Sequence, residues 1–447
     1  MLTLDLAEYA ASTRIAAIPA PVQERAKQII FDEMACACFG RRSLAGDLTA
    51  RYAASIGGSA ESRILGTGLR APAPYAALAN GSAGHGEEVD GAHVVGGHPG
   101  ATVVPAAMAM AERQRATGAD LINAVVLGYD IGTRMVDACG GVFLAKQRLH
   151  LHSDFLYALG AAAAAARLMG LDPARHCHAM ALVTFQANGL CALFHERRHI
   201  SKSFSAGQYA FAGVSAALMA SVGMEGSDDI LGAPHGLLEA WAVERGREIV
   251  THGLGQEYAV MSANFKFMNA GYPIHATVEA ATELMRTHRL SSTTIAAVHV
   301  GMPENSLRVV DNRAMHNICV QDMLAAALVL GSLSLRESPF PAVLDHPDFP
   351  AMRGRITVGV DADLQRELPD GRGARVAITT TSGSVQAHRI DWPKGHSRRG
   401  GVTWEDLSAK WHDALPGYDV DRALQLARGL DELEDARVLA ETYAQIP

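Results

Sequence analysis

Apolar positions along the chain change their spacing once, and that change divides it. In the first stretch they recur three and four apart. Val22, Ala26, Ile29, Ile30 and Met34 line one face of a helix that Pro21 can open and Gly40 can stop. Residues 100–136 read as two helices punctuated by Gly118. Residues 158–173 are apolar on every side, the pattern of a buried helix, and 207–224 predict another. Near residue 290 the texture becomes strand-like. Residues 294–303 and 355–361 read as strands, and 375–391 as a hairpin turning at Ser382-Gly383. A helix over 320–333 lies between them. After the linker 393–401, residues 403–415 return to helix, with Thr403 and Asp406 placed as a capping box. The order predicts a mainly α protein: a large helical domain, discontinuous in sequence, with a smaller α+β domain inserted late. The expected limits are 1–264, 265–396 and 397–447.

Composition narrows the class. The chain has 447 residues, 49% hydrophobic and only 19% charged, enough to bury a large core and too apolar for disorder. Much of that share is alanine, the best helix former, which argues against an all-β architecture. Net charge is −8, with no basic face for nucleic acid. The six cysteines are scattered, the opening residues form no secretory signal, and no apolar run reaches the roughly 18 residues of a membrane span. The expectation is a cytoplasmic protein with reduced thiols.

The most polar island in apolar surroundings is residues 80–100. It holds His85, Glu87, Glu88, Asp90, His93 and His98 among seven glycines. Carboxylates beside imidazoles are the material of general acid–base chemistry, and glycines let backbone fold tightly around a ligand. The segment His195-Glu196-Arg197-Arg198-His199 fits the H-E-x-x-H zinc pattern, provided it is a helix. Otherwise it is a basic loop whose Arg197 and Arg198 could serve an anion. His150/His152 and His176/His178 are paired two apart, the second pair reading as a solvated helix start. Lys202 and Lys266 are lone cations before small residues. No phosphate-binding glycine loop is present, so nucleotide binding has no support.

Six segments in order resemble the MmgE/PrpD family. They are the opening helices through residue 40, the 80–112 island, the helix 159–173, Ser201–Gly213, Lys266–Ala280 and Asp391–Leu407. The resemblance implies a split helical domain with an α+β lid, a homodimer, no metal or organic cofactor, and a small anionic carboxylate as substrate. By position it assigns His98, His152, Lys202, Glu88 and Asp90 to catalysis, with His150 as an alternative second histidine. It places Lys266, His275, His93 and His85 on substrate-binding positions, with Tyr272 and Asp322 at positions where the family has other residues, and Arg198, just before the Lys202 loop, is expected to replace the missing charge.

Departures from the family pattern matter. Glu88 replaces an aspartate, Gly91 an aspartate and Ala92 a threonine. Tyr272 stands where the family has a substrate-binding arginine, and Asp322 where it has a tyrosine. Arginine is the preferred bidentate partner of a carboxylate, so these changes argue against 2-methylcitrate itself. Abstraction of a proton beside a carboxylate leads to elimination, epimerisation or decarboxylation. The sequence places a dehydratase-type lyase first, an epimerase or decarboxylase second. A zinc hydrolase using His195, Glu196 and His199 is the outsider, and a non-catalytic binding protein the remaining reading.

Overall fold

The computed structural model describes residues 1–333, 335, 343–368 and 372–443. Two compact units emerge. The first comprises Met1–Phe194, His199–Ala263 and the return segment from Leu415; the second comprises His195–Arg198 and Asn264–Ala414.

The first unit is helical, as the 3.6-residue periodicity predicts. Its framework is Ala20–Phe39, Ala73–Gly84, Pro99–Gln114, Gly118–Ala138, Tyr157–Leu168 and Ser201–Ser221. Thr117 and Asp120 form a full capping box at the start of Gly118–Ala138. Tyr157–Leu168 is buried over Tyr157–Ala166, so its alanine run is the inside of a core. Small side chains let these helices approach closely. A Cβ on Gly207 would lie 2.2 Å from the Leu78 carbonyl oxygen and 2.2 Å from Ser82 Oγ. The helix carrying Lys202 is thereby pressed against the one that ends at His85.

The second unit holds a four-stranded sheet, ordered Ile356–Val360, Ile295–Met302, Ala374–Thr380, Val385–Ile390. The first pair is parallel and the other two antiparallel. Gly383, at φ 86°, turns the expected hairpin. His275–His288 packs on the sheet, and Val320–Leu330 joins the same core.

The unit continues past the expected limit at 396. Trp404–Ala414 belongs to it, held by Lys394 Nζ paired with Asp406 at 3.0 Å and by Lys410 Nζ over the Phe267 ring at 5.8 Å. The predicted Thr403–Asp406 box forms at the start of that helix. The Pro/Gly/charge linker thus turns within the unit instead of leaving it. His176 corrects another expectation: it is fully buried, its Nδ1 held by the Asp172 carbonyl oxygen at 3.1 Å. No helix among the described residues is long and apolar enough to cross a membrane.

Candidate active site

Three helix ends place the polar cluster of the first unit. His85 caps the C-terminus of Ala73–Gly84, His98 is the N-cap of Pro99–Gln114, and Lys202 lies in the first turn of Ser201–Ser221. Two of these ends are helix N-termini, where the aligned peptide dipoles favour an anion. The loop between His85 and His98 follows from its glycines. Gly97 takes φ 82°, and a Cβ there would lie 2.2 Å from Asp154 Oδ1. That close approach lets Asp154 accept the His98 backbone N–H at 3.1 Å. Glu33 accepts the Gly91 N–H at 2.9 Å.

Asp90, fully buried, joins two imidazoles. Its Oδ2 lies 2.9 Å from His85 Nδ1 and 2.9 Å from His98 Nδ1. The Gly91 carbonyl oxygen is the second acceptor beside His98 Nδ1, at 3.0 Å. Both neighbours of that nitrogen accept, so Nδ1 carries a proton, and Nε2 is the nitrogen left to exchange one. The same logic fixes His85. Its Nδ1 donates to Asp90, while Lys202 Nζ touches its Nε2, which must accept. Burial holds the His85 pKa well below its ordinary value, and the Lys202 charge adds to the effect against the pull of Asp90. His85 is therefore a neutral link between the Asp90 carboxylate and the Lys202 ammonium. The two imidazole rings are 4.2 Å apart.

Glu88 is the second buried carboxylate. It pairs with Lys202 and accepts from His199 Nε2 at 2.9 Å. His199 Nδ1 meets Ser203 Oγ at 2.9 Å. Glu88 and His199 both occupy left-handed backbone, at φ 54° and 49°. Such strain in ordinary residues collects at functional sites.

The segment around His199 is not a zinc helix. A short 3₁₀ turn ends at His195, bends follow, and the next helix starts at Ser201. The shared helical face that zinc chelation by His195 and His199 requires is absent. Arg197 and Arg198 are exposed on this loop and offer no buried anion contact. A different triplet, His85, Glu88 and His98, has donor atoms within 4.8 Å of one another, the spacing of a metal site. Two of those residues already contact Lys202, so the cluster has its own cation.

His152 is buried while His150 is exposed, which separates the two candidates. His152 Nε2 lies 3.5 Å from Asp154 Oδ1, and its ring meets Phe194 edge-on at 5.1 Å. Burial lowers its pKa to about 4, with smaller contributions from Lys202 and His98. His93 has a structural task instead of the substrate contact expected of it. It accepts the Val95 N–H at Nδ1 and donates from Nε2 to the Ala259 carbonyl oxygen at 2.9 Å. Burial lowers its pKa to about 4 as well.

In the second unit, Lys266 and His275 are buried, and His275 Nε2 lies 3.2 Å from the Ala270 carbonyl oxygen. Tyr272 is buried with its ring 5.5 Å from that of His275. Asp322 is not an acid held toward a ligand. It is consumed by Arg353 and by His316 Nδ1 at 2.7 Å.

The partners Ser203, Asp154 and Glu33 had no signal in the sequence. Each is ordinary in its own segment, and its role comes from a contact at long separation or across a helix start. His199 was visible, but in a zinc pattern that hid its pairing with Glu88.

Helical-unit site and inserted α+β unit together define a family. The MmgE/PrpD N-terminal domain matches residues 4–248, and the MmgE/PrpD C-terminal domain residues 268–431. The chain belongs to the MmgE/PrpD family. It is similar to a cis-aconitate decarboxylase-like protein, oryM, of Aspergillus oryzae, 24% identical over 100% of this chain and 97% of that one. It is also similar to cis-aconitate decarboxylase of Aspergillus terreus, at 25% identity over 98% and 95% of the two chains. The human cis-aconitate decarboxylase is 22% identical over 94% of this chain and 89% of its own.

Proposed function

We propose that this chain is a decarboxylase of a small tricarboxylic or dicarboxylic acid, of the cis-aconitate type, working by proton transfer without a cofactor. The observation that carries the reading is the Asp90 bridge. It fixes both imidazoles with Nδ1 protonated and leaves His98 Nε2 as the one proton-exchanging nitrogen of the pair. The names of three relatives that span nearly the whole chain favour decarboxylation over the dehydration placed first from sequence.

The chemistry balances as follows. The bond between a carboxyl group and its carbon breaks, and carbon dioxide leaves. Its electron pair forms a new double bond to the neighbouring carbon. The former double bond then takes a proton at the carbon bearing another carboxylate. His98, protonated at Nε2 and held at Nδ1 by Asp90, delivers that proton and recovers it from water. Lys202, beside His85 and Glu88, supplies positive charge for a bound carboxylate. His152 stands as the second acid/base candidate. One such acid–base group is worth about 10² to 10⁴ in rate.

Dehydration is the second reading, since removal of a proton at the same position by His98 Nε2 starts it. Incubation of purified, chelator-treated protein with cis-aconitate and, separately, 2-methylcitrate tests the choice. Carbon dioxide and a methylidene dicarboxylate from the former support the proposal. An unsaturated tricarboxylate from the latter, with no carbon dioxide from either, refutes it.

A further inference from the structure

A buried ion pair lies in the helical unit outside the catalytic cluster. Asp130 and Arg134 are one turn apart on the helix Gly118–Ala138 and 1% and 8% exposed, with Arg134 Nε 2.9 Å from Asp130 Oδ2. A buried pair of this kind adds little net stability, because desolvation offsets its attraction. Its geometry does something else. The guanidinium fork also donates to the carbonyl oxygens of Val250, His252 and Glu257, the last at 3.1 Å. The other Asp130 oxygen, Oδ1, accepts the Ala259 N–H at 3.1 Å. Backbone groups of residues 250, 252, 257 and 259 thus end on two side chains of one helix.

Packing does not fix this segment by itself. Asp130, Arg134, Glu257, Ala259 and His93 all line a cavity of about 470 Å³. Backbone beside a cavity lacks neighbours on one side, so its hydrogen bonds decide where it sits.

From Ala259 the bonds lead to the catalytic loop. The Ala259 carbonyl oxygen accepts from His93 Nε2 at 2.9 Å, and His93 Nδ1 accepts the Val95 N–H at 3.3 Å. Neutral imidazole suits this place, since one nitrogen donates while the other accepts. His93 also closes the turn that leads into His98. Its N–H donates to the Gly97 carbonyl oxygen at 3.2 Å, and its carbonyl oxygen accepts the Gly96 N–H at 2.9 Å.

We infer that Asp130 and Arg134 are positioning residues for the reaction, which place His98 by way of Ala259 and His93. The inference rests on the proposed function and deepens it. Asp90 and Asp154 hold His98 directly, and the ion pair braces its loop from the cavity side. Loss of the brace shifts His98 Nε2 and leaves its Nδ1 contacts with Asp90 and Gly91 to hold it alone.

A double-mutant cycle tests the linkage. The full chain carrying Arg134→Lys, His93→Phe or both is assayed on cis-aconitate, with melting temperatures measured alongside. Lysine cannot span the three carbonyl groups, and phenylalanine keeps a ring but makes neither bond. A misplacement of about 1 Å costs up to about 10²-fold, and Asp90 and Asp154 retain part of the placement, so each single variant should lower kcat about tenfold. KM should stay within about threefold, because the brace touches no substrate. The double variant should also fall about tenfold instead of a hundredfold, because both changes break one linkage. A second readout needs no turnover: in NMR of carbon-13-labelled histidine, the His98 ring signals should move in each single variant and no further in the double. Asp130→Asn loses either the Arg134 or the Ala259 bond in each amide orientation, so it stands in for Arg134→Lys if that variant does not fold. The inference is overturned if folded variants keep wild-type kcat, if the losses multiply in the double variant, or if the His98 signals stay in place. If the signals move as described but the wild type releases no carbon dioxide from cis-aconitate, the positioning stands and the decarboxylase reading falls.

Discussion

Replacing Asp90 by asparagine changes one atom and tests the tautomers. In the native site the carboxylate accepts from His85 Nδ1 at 2.9 Å, and the same oxygen lies 2.9 Å from His98 Nδ1. Asparagine has one acceptor oxygen and one NH₂ group, and either orientation sets the NH₂ within 3.0 Å of at least one Nδ1, so at most one Nδ1–H keeps a purely accepting partner. The other imidazole must present a lone pair at Nδ1 and move its hydrogen to Nε2. If that ring is His98, its hydrogen is fixed on Nε2 and that nitrogen no longer exchanges a proton. If it is His85, Nε2–H faces the Lys202 ammonium, donor against donor, and Lys202 leaves its place. The Gly91 carbonyl oxygen, 3.0 Å from His98 Nδ1, offers His98 a partial refuge, so loss need not be total. Either route removes charge stabilisation of an imidazolium, and tautomer loss in comparable dyads costs up to about 10⁴. We expect kcat for Asp90→Asn to fall by about 10² to 10⁴ with little change in melting temperature. The assays are steady-state carbon dioxide release and nitrogen-15 NMR of the histidines, which should show one of the two rings switched to Nε2–H. Turnover within threefold of wild type, or two unchanged Nδ1–H tautomers, would refute the reasoning.

Three other outcomes follow from the same structure. His93 has its pKa lowered to about 4 by burial, so below pH 6.5 the unfolded chain takes up a proton that the folded chain refuses. Stability should therefore fall by about 2 kcal/mol between pH 7 and pH 5 on account of this residue, and urea titrations of His93→Gln should lack that increment. Gly207→Ala drives a Cβ to 2.2 Å from the Leu78 backbone oxygen, so thermal denaturation should show a loss of at least about 2 kcal/mol, with activity falling as Lys202 shifts. Asp322→Asn should cost about 1–2 kcal/mol in chemical denaturation, through its bonds to Arg353 and His316, and leave KM unchanged; a large KM change would return Asp322 to the substrate.

Much of the architecture was legible because it is written locally. Residues 100–136, read as two helices punctuated by Gly118, fold as 99–114 and 118–138, and 158–173 folds as 157–168; the alternation over 355–361 becomes the strand 356–360. Where the chain returns is less legible: the linker's composition signals a turn at 397, while Lys394–Asp406 and Lys410 on Phe267 tie the following helix to the second unit. The polar island does fold into one cluster, with His85, Glu88, Asp90 and His98 converging. Sequence could not show how they converge. The His199–Glu88 contact spans 111 residues and the Lys202–His85 contact 117, and both depend on the close Gly207 crossing. Asp322 shows the reverse failure: a residue conspicuous by position is neutralised by Arg353, distant in the chain.

The central claim is that His98, held by Asp90, transfers a proton at carbon beside a carboxylate. It is tested by running cis-aconitate decarboxylation in deuterated water with wild type and His98→Asn. The account predicts that wild type releases carbon dioxide and places one deuterium on the product carbon next to the retained carboxylate, and that His98→Asn, folded, loses at least about a hundredfold in rate. Full activity in His98→Asn, or wild-type product without solvent deuterium at that carbon, would contradict it.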